Sequence, residues 1–413
     1  MINTNFILSK EKKQVLLLYG SSIIGVALGI LNSVINTRAL LPSEYGDYRY
    51  IQNIIDFVTS LLLFGYFTSG SRLLALSKTE QQSRDIRGAM CLILSIAIGI
   101  LMFVMFMLGL LNVLPARANL FFLAVPVCGY SLMLNYINTV GQGDNHIGRI
   151  SMARIVPPGL YCLIACLVYR MYGASSSKML LLYDGIGIVV YSLLILSTKP
   201  NFSNLKYSLK RLFEENKKYG FNVYLGSLIA VSTQYIAGIT LGKFCLDNSN
   251  VGFYTLSATM SAPLSMLPMI IGTTFFKKFA SQRRIDKRVL GYSFILTIGS
   301  CILFICLIKY VVAFLYDDNY SSVGIYAAFL AVATSVNGIG DLFNRFLGAH
   351  GQGRPIRDGA LACGMVTIIG NFLFVYLWGI KGAIVTRIMS SSIYFLFMYL
   401  SYRLFTKGSK NEA

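Results

Sequence analysis

The residues of this sequence that could do chemistry are ionisable side chains set inside, or at the ends of, long apolar runs. Arg38, Arg49, Lys243, Arg345 and Arg387 stand there, with Asp56, Asp184 and Asp341. A charge at membrane depth is costly, so by default it marks a pathway or a partner. The balance leans cationic, which suits an anion, and the planar fork of Arg matches phosphate with two parallel hydrogen bonds. Asp56 lies about 12 Å into its run at 1.5 Å per residue, too deep for so short a side chain to reach the interface. With Arg49, Gln52 and Asn53 it shares one helical face. Arg38 and Lys243 close corresponding runs; they either snorkel to the outer interface or ring a central cavity. Asp341 and Arg345, near Asn337 and Asn344, either pair at the inner surface or face that cavity, and Asp184 is equally open. In the first run Ser22, Gly25, Gly29, Asn32 and Asn36 recur at steps of three and four. This small-polar stripe fits close helix packing, as Gly25-xxx-Gly29 allows, or a polar pathway.

Other chemistries find less support. GQGDNHIGR (Gly141, Gln142, Gly143) returns as GQGRPIR (Gly351, Gln352, Gly353) about 210 residues later. A phosphate loop needs a preceding strand and a following Lys-Ser/Thr, and neither is present. The glycines are expected to cap a helix or turn the chain, with Arg149, Arg354 and Arg357 holding the turn on one side; a gating contact is the other reading. The two histidines, His146 and His350, lie in these loops without metal-ligand spacing. Eight cysteines sit mostly within apolar blocks and form no C-x-x-C, so neither disulfide nor zinc is expected. No Ser/His/Asp set or carboxylate pair is apparent. Neither an enzyme, a cofactor nor a metal is expected.

The elements that must position these residues are membrane helices. The 413 residues are 55% hydrophobic and 13% charged, about half the charge of a soluble domain, with a mean hydropathy of +0.63. Twelve apolar blocks fall near 15–37, 48–70, 89–113, 119–140, 150–169, 178–197, 219–242, 254–275, 289–315, 322–345, 359–378 and 382–402. A helix of ~20 residues crosses the hydrocarbon, so the pattern predicts an all-α polytopic membrane protein. The first block is too long for a signal-peptide core, and no A-x-A site follows it. Basic residues gather in Lys10–Lys13, in 199–218 and in KKFASQRRIDKR from Lys277, whereas ASSSK, DDNYSS and the PARA loop around Arg117 are poor in them. The bias places both termini in the cytoplasm. The net charge of +19 is then topology and attraction to anionic lipid. Nucleic acid is not expected as a partner, because no aromatic side chains interleave the basic runs.

The echo of the GQG loops is one of four. Gly46 and Tyr48 match Gly252 and Tyr254, the loop after Ser71 matches the basic loop after Phe276, and Gly173-Ala174 matches Gly382-Ala383, all at nearly one offset. Weak self-similarity at one spacing signals duplication. The expected organisation is an N-terminal six-helix lobe (1–200), a cytoplasmic linker (201–218) and a C-terminal six-helix lobe (219–413). An even number of helices per half makes the repeats parallel, and transporters so built place the substrate between them.

Two sets of six helices, the segment Arg38-x-Leu40-x-Pro42-x-Glu44-Tyr45-Gly46-x-Tyr48, and G-x-G at the end of the fourth helix resemble the polysaccharide-transporter branch of the multidrug/oligosaccharidyl-lipid/polysaccharide exporter superfamily. These are the Wzx-type O-antigen flippases. The resemblance covers the whole chain. It implies a bacterial inner-membrane flippase that carries an undecaprenyl-pyrophosphate-linked oligosaccharide by alternating access, and it maps a cationic cavity best onto Arg38 and Arg49. Lys243, Arg345 and Arg387 extend that cavity. Asp56 and Asp341 are coupling candidates, with Asn32, Gln52 and Asn53 as polar lining. The expected partners are the lipid-linked oligosaccharide, membrane lipid and the polysaccharide polymerase machinery, with the protein itself a monomer. A cation-coupled multidrug exporter, a lipid II flippase and a membrane glycosyltransferase or ligase are the alternatives. The first apolar block (15–37) has no acid, against the exporter, and no outward loop is long enough for the transferase.

Overall fold

The computed structural model describes residues 10–111 and 117–411, and every regular element among them is helical. In chain order these are α1 (Lys10–Ala39), α2 (Pro42–Leu62), α3 (Tyr66–Ala75), α4 (Glu80–Leu110), α5 (Ala118–Ala124), α6 (Tyr130–Gly143), α7 (Ile147–Tyr172), α8 (Ser176–Ser197), α9 (Leu205–Glu215), α10 (Phe221–Phe244), α11 (Ser249–Ser261), α12 (Pro263–Thr274), α13 (Phe276–Ser281), α14 (Lys287–Leu315), α15 (Ser322–Ala349), α16 (Gly353–Trp378) and α17 (Ile380–Asn411). Nine described stretches are long and apolar enough to cross a membrane, and α2 with α3, bent by 60° at their break, adds a tenth. The blocks at 119–140 and 219–242 are the interrupted α5–α6 and α10. Each apolar block is therefore helical, and the chain is an all-α, multi-pass membrane protein. The expected cytoplasmic termini reach residues 1–9 and 412–413, and Pro115 belongs to the PARA loop; all of these lie outside the described residues.

The chain divides into two compact units: Met1–Leu40 with Ile54–Leu228, and Leu41–Asn53 with Ile229–Ala413. The start of α2 thus belongs to the second unit and the remainder to the first. Residues 201–218 supply α9 and the beginning of a π-helical turn (Asn216–Gly220) within the first unit.

In the first unit side chains of neighbouring helices reach carbonyls at two interruptions of spanning helices. Hydrocarbon offers no partner to a freed backbone group. Between α2 and α3, Phe64 and Gly65 take left-handed φ angles of 42° and 79°. Asn216 Nδ2 donates to the Phe64 carbonyl at 3.1 Å, and the Tyr224 hydroxyl donates to the Leu61 carbonyl at 2.8 Å. In α7, Pro157 and Pro158 lack the amides that would bind the carbonyls of Ala153 and Arg154. The Tyr191 hydroxyl approaches the first at 3.5 Å. The second faces Gly25 of α1, 3.4 Å from where a Cβ would stand. The small-polar stripe of α1 lies along α7. Asn32 Nδ2 donates to the Pro158 carbonyl (3.2 Å), Cys162 Sγ to Asn32 Oδ1 (2.7 Å), and the Tyr161 hydroxyl to Asn36 Oδ1 (2.5 Å). Gly25, Asn32 and Asn36 thus meet α7, whereas nothing lies within 4 Å of where a Cβ on Gly29 would stand.

In the second unit the Arg-to-Tyr segment is a helix start and a packing surface. Pro42 opens α2, where its missing amide costs nothing, and Glu44 accepts from the Leu41 amide at 3.2 Å. Tyr45 and Tyr48 are buried, and Asp47 accepts from Asn248 Nδ2 at 2.7 Å. Gly46 is required by close approach, because a Cβ there would stand 1.8 Å from the Asn248 carbonyl oxygen. Its repeat partner Gly252 packs against the same turn, 3.1 Å from the Pro42 carbonyl by the same measure. Gly173 finds its counterpart in Gly379 rather than in Gly382: both follow the last residue of a spanning helix with positive φ, 71° and 56°.

Gly46→Ala is expected to cost about 1–3 kcal/mol, the usual penalty of overpacking, read as a lowered thermal midpoint of the purified protein. Gly291→Ala, at a helical position with nothing within 4 Å, should leave the midpoint unchanged or raise it.

Candidate functional site

Within the second unit residues of six helices enclose a polar cavity of about 280 Å³. It is lined by Thr233 and Gln234 of α10, Tyr254 and Ser261 of α11, Ser265 of α12, Thr334 of α15, Thr367 and Asn371 of α16, and Arg387 of α17, with Ala and Leu between them. Small residues allow the helices to meet here. A Cβ on Gly370 would lie 2.7 Å from Thr386 Cγ2, so α16 and α17 touch beside Asn371 and Arg387. Gly338 lets α15 close on α12, where a Cβ would stand 3.0 Å from the Ser265 Cα.

Several lining groups have their hydrogen-bonding capacity used. Thr367 Oγ1 donates to the Cys363 carbonyl, and Asn371 Nδ2 to the Thr367 carbonyl, each at 2.8 Å. Asn371 Oδ1 is buried with no hydrogen-bond partner, and such an acceptor is stabilised by a donor supplied from outside. The half-buried guanidinium of Arg387 brings several N–H donors into the same space. No carboxylate occurs among the described lining residues. Asp341 has electrostatic reach to Arg387 and also to Arg345. It is held away from ligand duty by the Tyr394 hydroxyl, which donates to Asp341 Oδ1 at 2.8 Å while accepting from Asn344 Nδ2 at 2.7 Å. One guanidinium among neutral hydroxyls and amides can hold an anion and the hydroxyl groups attached to it.

The other expected site residues are distributed as follows. In the second unit Arg49 donates to the Tyr45 hydroxyl and to Gln52 Oε1, each at 2.9 Å, with its guanidinium 5.4 Å from the Tyr45 ring centre. Gln52 is buried, and Asn53 fits against Gly238 of α10. Lys243 is exposed at the end of α10, 5.9 Å from the Phe244 ring centre, and Arg345 is exposed on α15. In the first unit Arg38 is exposed at the end of α1, Asn32 is in the seam with α7, and Asp56 accepts from Ser131 Oγ at 2.7 Å. Asp184 is fully buried. Of the ten charged and polar candidates, the cavity brings in Arg387 alone. The uncharged lining was not singled out from sequence, because isolated Ser and Thr in a membrane helix read equally as groups bonded to their own backbone. Arg154 was also missed. It is half-buried, seven residues into α7, and donates to Ser22 Oγ at 2.5 Å; an Arg just before a Pro-Pro pair was the signal available. Among the described residues no group of His, Cys, Asp and Glu could hold a metal ion. Burial also pushes the Cys245 thiol up, which keeps it a poor nucleophile.

Residues 12–276 match the family model described as polysaccharide biosynthesis protein. The chain belongs to that family. No curated protein matches it. Among solved structures, the chain resembles the lipid II flippase MurJ in an inward closed conformation (TM-score 0.73, 13% identity, covering 94% of this chain and 87% of that one). It also resembles an inward-facing multidrug resistance MATE family transporter of the MOP superfamily (TM-score 0.74, 12% identity, 96% and 99%). An outward-facing conformation of a multidrug resistance MATE family transporter is similar at a TM-score of 0.60, with 12% identity over 97% of each chain. At such identities the likeness concerns the fold.

The two GQG loops end α6 and open α16. A Cβ on Gly141 would be 2.6 Å from Ile150 Cγ1, and one on Gly143 2.6 Å from the Ser71 carbonyl oxygen. Gly351 has φ 69°. The next residue of the first copy, Asp144, is paired with Arg87 at 2.8 Å, both side chains being 4% exposed; Arg87 also reaches Glu80 at 2.9 Å and the Thr198 carbonyl at 2.7 Å. Arg149 stands 3.9 Å from the same carboxylate. Removing one partner of a buried pair strands the other charge. Arg87→Ala should therefore destabilise the protein by about 3–5 kcal/mol, whereas Arg149→Ala should cost about 1 kcal/mol or less, the two compared by thermal midpoint in detergent.

Proposed function

We propose that this protein is a flippase that moves an undecaprenyl-pyrophosphate-linked oligosaccharide, an O-antigen or capsule repeat unit, across the bacterial inner membrane by alternating access. The observation that carries the reading is Arg387 in a polar cavity with no described carboxylate. Pyrophosphate and sugar cannot cross hydrocarbon, while the polyprenyl tail never has to leave it. A guanidinium answers the phosphate in a two-pronged fashion, and the surrounding hydroxyls and amides answer sugar hydroxyls. A cationic drug would instead need an acid where Arg387 stands, which disfavours the multidrug exporter. Lipid II shares the pyrophosphate, and the likeness to MurJ makes its transport the second reading. On the first reading the basic loops and both termini face the cytoplasm, the protein works as a monomer, and it hands its product to polymerase machinery. It carries out no bond-making step.

Arg387→Ala is expected to lower surface polysaccharide about tenfold or more at matched protein level, since a hydrogen bond to a charged group is worth about 1.5–3 kcal/mol. Arg387→Lys should recover part of the loss, a point charge without the fork. Unchanged export in Arg387→Ala would remove the cavity from the mechanism. Arg49→Ala and Arg38→Ala, measured separately, show whether those cations bind substrate as well.

A further inference from the structure

A second cavity, in the first unit, has the opposite chemistry. It measures about 320 Å³ and is bounded by Leu62, Phe64 and Tyr66 at the α2–α3 break, by Ile93, Ile96, Ala97 and Ile100 of α4, and by Leu209 and Phe213 of α9. The Tyr66 hydroxyl is the one polar side-chain group among these described lining residues. Its α4 wall belongs to the most apolar of the spans, with a hydropathy of 2.9, so its contents come from hydrocarbon rather than from water. Of its lining residues, Ile96, Phe64 and Phe213 are 56%, 46% and 59% exposed.

Two further features separate this groove from ordinary lipid-facing surface. Phe64 is a non-glycine residue in left-handed backbone, a conformation that persists where surrounding structure imposes it. Here Asn216 Nδ2 binds its carbonyl, and the Tyr224 ring lies 5.9 Å from its own. The ring is thus presented into the groove at the cost of backbone strain. Next, α9 brings cations to one edge. Lys206, Leu209, Lys210 and Phe213 share a helical face, so the two exposed lysines run beside the two lining residues. An apolar trough with a cationic edge matches an amphiphile whose long hydrocarbon ends in a phosphate.

We propose that this groove is a docking site for the polyprenyl chain of the lipid-linked substrate, with Lys206 and Lys210 attending its phosphate. The proposal rests on the flippase reading above, and it assigns the capture of the tail to the first unit.

The test uses the full chain in vesicles of phosphatidylethanolamine carrying undecaprenyl phosphate, with or without an equal amount of phosphatidylglycerol. Lipid retained by the protein is counted by native mass spectrometry. The wild type should retain undecaprenyl phosphate in preference to phosphatidylglycerol. Ile96→Trp, filling the groove, should lower retention about tenfold, as when roughly two methylenes lose their burial. Leu193→Trp, equally bulky at an exposed position of α8, should have no effect. Lys206→Glu with Lys210→Glu should weaken retention without altering the apolar wall, and it serves alone if Ile96→Trp does not fold. Wild-type retention in the groove-filling or double-charge variant, or displacement by phosphatidylglycerol at equal amount, overturns the proposal. Arg387→Ala separates the two ideas. If it abolishes export while Ile96→Trp retains lipid normally, only the groove fails. If export is indifferent to it while retention still depends on Ile96, only the transport reading fails.

Discussion

Hydrocarbon gives no hydrogen bond to a backbone amide or carbonyl, and this constraint governs where the chain can depart from regular helix. Each unsatisfied group costs several kcal/mol, so a break in a spanning helix is favoured where a neighbouring side chain or another close packing partner meets it. The α2–α3 break has Asn216 and Tyr224, and the double proline of α7 has Tyr191 and the close approach of Gly25. The positions of the irregularities are therefore set by the amides and hydroxyls of neighbouring helices. The π-helical turn that supplies Asn216 is itself an irregularity, so two imperfect helices stabilise each other at one place.

The same accounting divides the polar interior into two populations. Asn32, Asn36 and Arg49 spend their hydrogen bonds on neighbouring helices or on their own face. Such groups specify which helices meet. Asn371 and Arg387 line the cavity instead, and the buried Asn371 Oδ1 has no hydrogen-bond partner. A polar group with unspent capacity in a low-dielectric setting is unfavourable until something binds it. That is the physical distinction between a polar residue that builds the fold and one that recruits a ligand.

The helical blocks were legible because a run of about twenty apolar residues has few other uses. Of the echoes that suggest a duplication, one joins glycines that meet at a single turn of the second unit and another joins glycines that share a backbone conformation. Gly46 and Gly252 flank one turn, and Gly173 and Gly379 end their helices in left-handed backbone. The residue pairing in the last case was misaligned by three positions, since Gly382-Ala383 repeats the dipeptide while Gly379 repeats the conformation. What sequence could not resolve was direction around each helix. The α1 stripe has the periodicity of a pathway, yet α7 meets it at Gly25, Asn32 and Asn36, and periodicity says nothing about whether a partner helix or water lies opposite. For the same reason Thr233, Ser261, Thr334 and Thr367, each unremarkable in its own helix, become a site only when six helices bring the lining together.

A carrier of an amphiphile does not need a tight grip on the head group. Carrying a charged head through hydrocarbon unassisted is opposed by its desolvation, which far exceeds what one hydrogen bond returns. A polar cavity lowers that barrier by substituting fixed dipoles for water, but a cavity that bound the head too strongly would convert the barrier into a trap. One guanidinium set among neutral hydroxyls and amides sits between these limits. It selects for negative charge, while the neutral groups exchange hydrogen bonds with water or sugar at similar free energy. On the proposed reading, the sparse charge of the Arg387 cavity is what permits release as well as binding, and a second arginine added to it would slow transport rather than improve it.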